Sequence, residues 1–253
     1  MADAVEAVAM PPVFEVVLDR PPANAIDAAT SRELGAAFTR FRDDPKLRVA
    51  ILVGGGERFF SAGWDLKAAA SGEPADADYG PGGFGGFPAL PGLHKPVIAA
   101  VNGMAVGGGF ELALAADLVV AAEHAELWLP EAAVGLVPDI GSVRLSRALP
   151  GPLANELLLT GRRMGAAEAA RWGLVNRVVP GAQVIDAARV LAAEVAAAAP
   201  LAVEAILAIG RQVAEQPFAV ADLPEYRRAV SSEDAREGAA AFAEKRPPKW
   251  TGR

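Results

Sequence analysis

The chain has 253 residues, 52% of them hydrophobic, enough for one large domain or a core with an appendage. Acidic side chains outnumber basic ones by 31 to 24, a formal net charge of −7, and no broad basic face for nucleic acid is evident. The absence of cysteine and the presence of only His94 and His124 exclude a disulfide framework, thiolate catalysis and a histidine-rich metal site.

Gly, Pro or charge interrupts every apolar stretch before the ~20 residues needed to span a bilayer. Residues 1–12 carry Asp3 and Glu6 where a secretory signal has a basic start. A globular, cytoplasmic protein with no membrane partner is the expectation.

Residues 13–19 predict a strand, and Arg20-Pro21-Pro22-Ala23-Asn24-Ala25 a rigid turn whose prolines fix φ. Asp27 or Thr30 suits the cap of a helix carrying Leu34, Ala37, Phe38 and Phe41 at i, i+3, i+4 and i+7. Asp43-Asp44-Pro45 ends it, and residues 49–53 read as a buried strand. Strand, helix and strand in succession suggest a layered α/β arrangement.

A glycine-punctuated loop, 54–65, then leads into a short helix at 66–70, presenting free backbone N–H groups. Ser61-Ala62-Gly63 also fits an ordinary tight turn. Residues 71–94, rich in Gly and Pro, read as a loop carrying Tyr79, Phe84 and Phe87: either a lid over a pocket or a plain surface loop. His94 reads as structural.

The stretch from Asn102 to Asp117 organises the rest. A strand at 96–101 feeds Gly107-Gly108-Gly109, and good helix formers follow at 112–116, with Glu111 in the first turn. Such a corner offers N–H groups to a developing negative charge and places a carboxylate beside it. The same pattern also serves a helix packed tightly on a sheet. No Gly-Lys-Ser/Thr follows, and the Gly-x-Gly-x-x-Gly spacing is absent.

Residues 118–121 and 126–129 read as short strands. Pro130-Glu131 closes the second, with Trp128, Leu129, Val134 and Leu136 nearby, a setting that raises a glutamate pKa. Residues 141–172 are helical in pieces and 174–179 a strand. From residue 183 the pattern is helical only, over 184–199, 201–215 and a last helix opened by Ser231-Ser232-Glu233-Asp234. A helical end without a partner face of its own suggests subunit packing.

Three of these segments resemble the signatures of the crotonase superfamily, the enoyl-CoA hydratases and isomerases. They are Phe60-Ser61-Ala62-Gly63-Trp64-Asp65-Leu66, Asn102-Gly103 through Gly107-Gly108-Gly109-Phe110-Glu111, and Pro130-Glu131 through Gly135-Leu136-Val137-Pro138. The turn from Arg20 to Ala25 resembles the family's first CoA-contacting turn. Trp64-Asp65-Leu66-Lys67, Tyr79 to Phe84, Gly161 to Gly165 and Ala243 to Arg246 look most like the carnitinyl-CoA dehydratase branch.

The resemblance implies an α/β crotonase-like spiral of β-β-α units with two roughly perpendicular sheets over residues 1–195, which holds the acyl-CoA site. It implies a C-terminal helical segment, 196–253, that builds a homotrimer or a dimer of trimers. The N–H groups of Trp64 and Gly108 then form an oxyanion hole, with Glu111 assigned to water and Glu131 to the α-proton. Ala23, Ala25, Ala62, Asp65, Leu66, Gly107, Pro130, Val134 and Asp139 are the implied substrate and CoA contacts.

No metal and no cofactor beyond the substrate's own coenzyme A is implied. The reaction is reversible addition of water across the α,β bond of an acyl-CoA thioester. Isomerisation or another crotonase reaction, and a catalytically silent CoA-binding subunit, are the alternatives. A trimethylammonium acyl group meets a π face at Trp64, Tyr79 or Phe84 in one reading; in the other these rings wall an apolar pocket. Two stretches are shorter than the family pattern: after Pro138, and between Pro217 and Ser231.

Overall fold

The computed structural model describes residues 4–74, 76–212 and 224–253. Two antiparallel strands come first, β1 (Val5–Met10) and β2 (Val13–Leu18), in register from Val5↔Leu18 to Met10↔Val13. β1 escapes sequence patterning because its solvent-facing positions include Val8 and Met10. β3 (Ala25–Ile26) follows the proline turn, and α1 (Ala28–Asp43) starts at the cap Asp27, whose side chain accepts from Thr30 N. The periodic residues Leu34, Phe38 and Phe41 are buried, with Phe41 stacked on Phe14 at 5.9 Å.

Next come β4 (Val49–Gly54), β5 (Phe59–Ser61), β6 (Gly63–Trp64) and α2 (Leu66–Ala70). No strand or helix is assigned between Ser71 and Pro96 among the described residues. Phe87 lies in this loop with Tyr79 and Phe84, as expected, but its ring is a core residue packed 4.7 Å from Phe38. β7 (Val97–Val101), β8 (Met104–Val106) and α3 (Gly108–Ala115) form the central unit, followed by β9 (Leu118–Ala122) and β10 (Glu126–Trp128). A 3-10 turn over Glu131–Val134 precedes α4 (Asp139–Ala148) and α5 (Gly151–Thr160).

β11 (Met164–Gly165), α6 (Ala166–Arg171) and β12 (Arg177–Val179) close the sheets. The strand expected over 174–179 is regular only in its second half: Leu174 N donates back to Ala169 O, and Asn176 N makes the first link to β9, at Val119 O.

The strand order shows how one local plan repeats. β2-β3-α1, β4-β5-β6-α2, β7-β8-α3 and β9-β10-α4 are successive turns. Their first strands lie side by side in a six-stranded sheet of order β1-β2-β4-β7-β9-β12, parallel except for β1. The later strands form a second sheet, β11-β10-β8-β5, and a two-stranded one, β3-β6. Every residue of β7 is buried, as expected of a strand covered on both faces.

The C-terminal part holds α7 (Val184–Ala196), α8 (Pro200–Gln212), α9 (Pro224–Val230) and α10 (Glu233–Glu244). α7 packs on β4, β7 and β9, so it belongs to the core layer, while α8 packs on α9. The expected extension of α8 to residue 215, and the part of the shortened Pro217–Ser231 stretch that runs from 217 to 223, lie outside the described residues, as does Asp3. Ser232 caps α10 by accepting from Ala235 N, and Trp250 of the tail donates to Ala197 O at 2.7 Å. Among the described residues no single helix is long and apolar enough to cross a bilayer.

Candidate active site

The spiral stacks two corners directly on one another. Gly107 joins β8 to α3 with φ 54 and ψ −126, a conformation open to glycine and strained for other residues. Gly63, at φ 76, starts β6, and a Cβ there would lie 2.6 Å from both Gly108 N and Val106 O. The first turn of α3 and the β6 corner therefore touch backbone to backbone.

Ser61 fixes the arrangement from below: its buried hydroxyl donates to Asn24 O and accepts from Gly63 N. Asp65 N donates to Ile26 O across β3–β6 at 2.9 Å. Successive N–H groups of an extended chain point to opposite sides, so the Trp64 N–H points away from β3. Both Trp64 and Gly108 line a cavity of about 590 Å³.

Glu111 and Glu131 enter the same cavity. Glu111 sits one turn into α3, only 7% exposed, and its Oε1 accepts from Gly141 N at the start of α4 at 2.8 Å. Burial pushes its carboxyl up to about 7; the Gly141 N–H opposes this, while the negative charges of Asp139 and Glu131 add to it. Glu131 opens the 3-10 turn after β10, against the Cα of Gly107. Burial pushes its carboxyl up as well, opposed by its own backbone N–H and reinforced by Asp139. Its Oε2 is buried with no hydrogen-bond partner among the described residues.

Of the other implied contacts, Ala62, Leu66, Gly107, Pro130, Val134 and Asp139 line the cavity with the glutamates. Ala23, Ala25 and Asp65 do not. Ala23 O accepts from Ala62 N, Ala25 pairs with Gly63, and so both buttress the corner from outside. Asp65 is occupied: it caps α2 and pairs with Arg20 at 2.6 Å. Burial pushes its carboxyl up, but the bonds from Arg20, Lys67 N and Ala68 N together hold it below the usual range.

Sequence reasoning did not single out Asp76, Leu136 and Val137 as cavity residues, nor Gly141 as the donor to Glu111. Leu136 and Val137 stood within a recognised motif, but Asp76 and Gly141 had no local signal, because only the fold brings them to the site. Trp64 contributes more than its backbone: its indole Nε1 donates to Glu73 at 3.3 Å, and Glu73 also accepts from Ala28 N. His94 does not line this cavity. Among the described residues no group of three or more His, Asp or Glu side chains is placed to hold a metal ion.

An α/β spiral that gathers two carboxyl groups of raised pKa beside two backbone corners is built for proton transfer next to a developing oxyanion. Residues 10–253 match the family described as enoyl-CoA hydratase/isomerase, and the chain belongs to that family.

Relatives called carnitinyl-CoA dehydratase, from Salmonella agona and Citrobacter koseri, are each 56% identical over 250 residues, covering 96% of this chain and 96% of theirs. An enoyl-CoA hydratase structure from Mycobacterium tuberculosis superposes with a TM-score of 0.90 at 41% identity, covering 99% of this chain and 100% of that one. A carnitinyl-CoA hydratase structure from Mycobacterium avium gives 0.79 at 41%, with full coverage of both chains.

Proposed function

We propose that this protein is a hydro-lyase that adds water to, and removes it from, the α,β bond of acyl-CoA thioesters. The observation that carries this reading is the meeting of Glu111 and Glu131 with the Trp64 and Gly108 corners in one cavity. In the hydration direction, ionised Glu111 takes a proton from water as the oxygen attacks the β-carbon. The double-bond electrons move onto the thioester oxygen, held by the N–H groups of Trp64 and Gly108. Protonated Glu131 then delivers its proton to the α-carbon. Dehydration runs the same steps backwards.

The two roles follow from what each carboxyl group meets. The Gly141 N–H favours the charged form of Glu111, whereas the unpartnered Oε2 of Glu131 favours the acid. Deeper burial of Glu111 pulls in the opposite sense. Both carboxyl groups are thus held above the ordinary range, which suits groups that exchange protons near neutral pH.

Ala62, Leu66, Gly107, Pro130, Val134 and Asp139 meet the acyl and pantetheine parts, and the corner carrying Ala23, Ala25 and Asp65 supports the CoA end. The names of the relatives favour a carnitine-type acyl group on this chain. The finer architecture we infer is two roughly perpendicular sheets over 1–195 and a helical region, 196–253, that assembles three or six copies in the cytoplasm, with no cofactor beyond the substrate's coenzyme A.

The test is ultraviolet absorbance of the conjugated enoyl thioester with wild type, Glu111→Gln and Glu131→Gln. Each substitution is expected to lower kcat by at least ~100-fold while the protein still binds the thioester. Turnover near wild type in both variants ends the assignment.

A further inference from the structure

The corner at Trp64 rests on a strand of only two residues. On either side of it, Ala62 N and Asp65 N are anchored to Ala23 O and Ile26 O at 2.9 Å. The Trp64 side chain has an anchor of its own, which comes from the loop after α2. That helix has five residues, and Gly72, at φ 102, turns the chain back on it so that Glu73 N donates to Ala68 O. The Glu73 carboxylate then accepts from the Trp64 indole Nε1 at 3.3 Å and from Ala28 N at 3.1 Å.

Ala28 opens α1, whose first turn holds no acidic residue of its own, so a carboxylate there meets the positive end of the helix. Ala28 also lies just beyond Ile26, the partner of Trp64 in the β3–β6 pair. The contacts therefore close a ring. Ile26 holds the backbone beside Trp64, Ala28 holds Glu73, and Glu73 holds the indole.

The same loop reaches the second oxyanion donor. Phe84 lies so close to Gly108 that a Cβ on that glycine would stand 2.4 Å from the ring's Cε1. Tyr79 packs edge-on against Phe84, with ring centroids 5.4 Å apart. Glu73 faces Tyr79 as well: burial pushes the tyrosine hydroxyl up, and the carboxylates of Glu73 and Asp76 push it further. Glu73 itself does not line the cavity, so it meets the site through Trp64 rather than through the substrate.

We infer that Glu73 is a positioning residue: by holding the Trp64 indole against the start of α1, it fixes the aim of the Trp64 N–H at the thioester oxygen. A backbone donor lowers the barrier only while it points at the developing charge, and a displacement of about 1 Å is enough to cost up to about a hundredfold in rate. Capping α1 alone would make Glu73 a matter of stability; the bond to the indole makes it a matter of kcat. This inference rests on the acyl-CoA reading above.

The experiment compares crotonyl-CoA kinetics in Glu73→Leu, Glu73→Gln, Trp64→Phe and the double variant of Glu73→Leu with Trp64→Phe. Glu73→Leu removes both acceptor oxygens and is expected to lower kcat by about tenfold or more, with KM changed by less than about threefold. Glu73→Gln keeps a carbonyl oxygen for the indole and is expected to hold kcat within about threefold of wild type. Trp64→Phe removes the indole donor and leaves Ala28 alone, so a loss of kcat there does not pass through α1. The two losses are expected to overlap, the double variant falling short of their product by about threefold or more. A kcat for folded Glu73→Leu within about twofold of wild type overturns the inference, and so do losses that multiply in full.

Failure of the hydratase reading looks different: wild type turns over no enoyl thioester. The corner is then read by absorbance alone, with para-dimethylaminocinnamoyl-CoA, whose band moves to longer wavelength as its carbonyl is polarised. Wild type and Glu73→Gln are expected to show that shift and Glu73→Leu to lose most of it. An equal shift in Glu73→Leu and wild type overturns the positioning role.

Discussion

Glu111 carries a cost in stability. It is a carboxyl group almost wholly buried beside two other acids, held by one backbone N–H from α4. Its folded pKa, about 7, lies above its ordinary value of 4.5, so folding opposes its ionisation. Stability contributed by this group is present below pH 4.5 and is lost as pH rises through about 7. Glu111→Gln removes that loss. The variant is expected to be more stable than wild type at pH 8 by about 1–3 kcal/mol, and to lose this advantage at pH 4, as read from denaturant midpoints.

In the proposed reaction the same group is the base. Hydration needs Glu111 ionised, so kcat/KM for crotonyl-CoA is expected to rise with pH along a limb near 7, and the limb is expected to vanish in Glu111→Gln. A flat profile across that range in wild type removes Glu111 as the base. Sequence reasoning reached both glutamates because each stands beside a backbone corner that shows in the glycine and proline pattern. It left Asp76 and the Gly141 donor unnoticed, since neither belongs to a local pattern that implies a ligand.

At the scale of elements, the site depends on two short strands and two caps. Arg20 bridges Asp27, the cap of α1, and Asp65, the cap of α2, at 2.7 and 2.6 Å. One guanidinium thus ties the start of both helices to the proline turn. Arg20→Met is expected to destabilise the protein by about 1–2 kcal/mol, read from chemical denaturation; no change means the bridge is idle.

The contact between the two corners is less forgiving. Gly63→Ala places a methyl group 2.6 Å from the Gly108 N and Val106 O positions, at a φ that alanine resists. It is expected to cost about 1–3 kcal/mol of stability and, by moving an oxyanion donor, about 100-fold in kcat. Kinetics unchanged in a folded Gly63→Ala protein contradict the oxyanion assignment. The α1 face, the buried strands β4 and β7 and the glycine corners were all legible, because burial, period and φ are written into local residue choice. Two elements were not. β1 exposes Val8 and Met10 and so lacks a clean alternation, and Phe87 lies in a glycine-rich loop although its ring fills space against Phe38.

The molecule as a whole follows one rule, a β-β-α turn repeated so that each later corner lands on an earlier one. Sequence patterning supplied a layered α/β core, and family resemblance supplied the spiral, since strand order is a long-range property that no window reveals. Val143, Leu159 and Trp172 leave apolar surface exposed on α4, α5 and the end of α6. Sedimentation velocity is expected to show three or six copies of the 26.0 kDa chain; a monomer at micromolar concentration removes the assembly reading.

The most direct measurement is turnover of an enoyl-CoA thioester by wild type beside Glu111→Gln and Glu131→Gln, with thioester binding measured in parallel. The expected result is hydration by wild type and at least ~100-fold lower kcat in each variant at preserved binding. Wild-type turnover in both variants, or silence of wild type on every enoyl thioester it binds, contradicts the account.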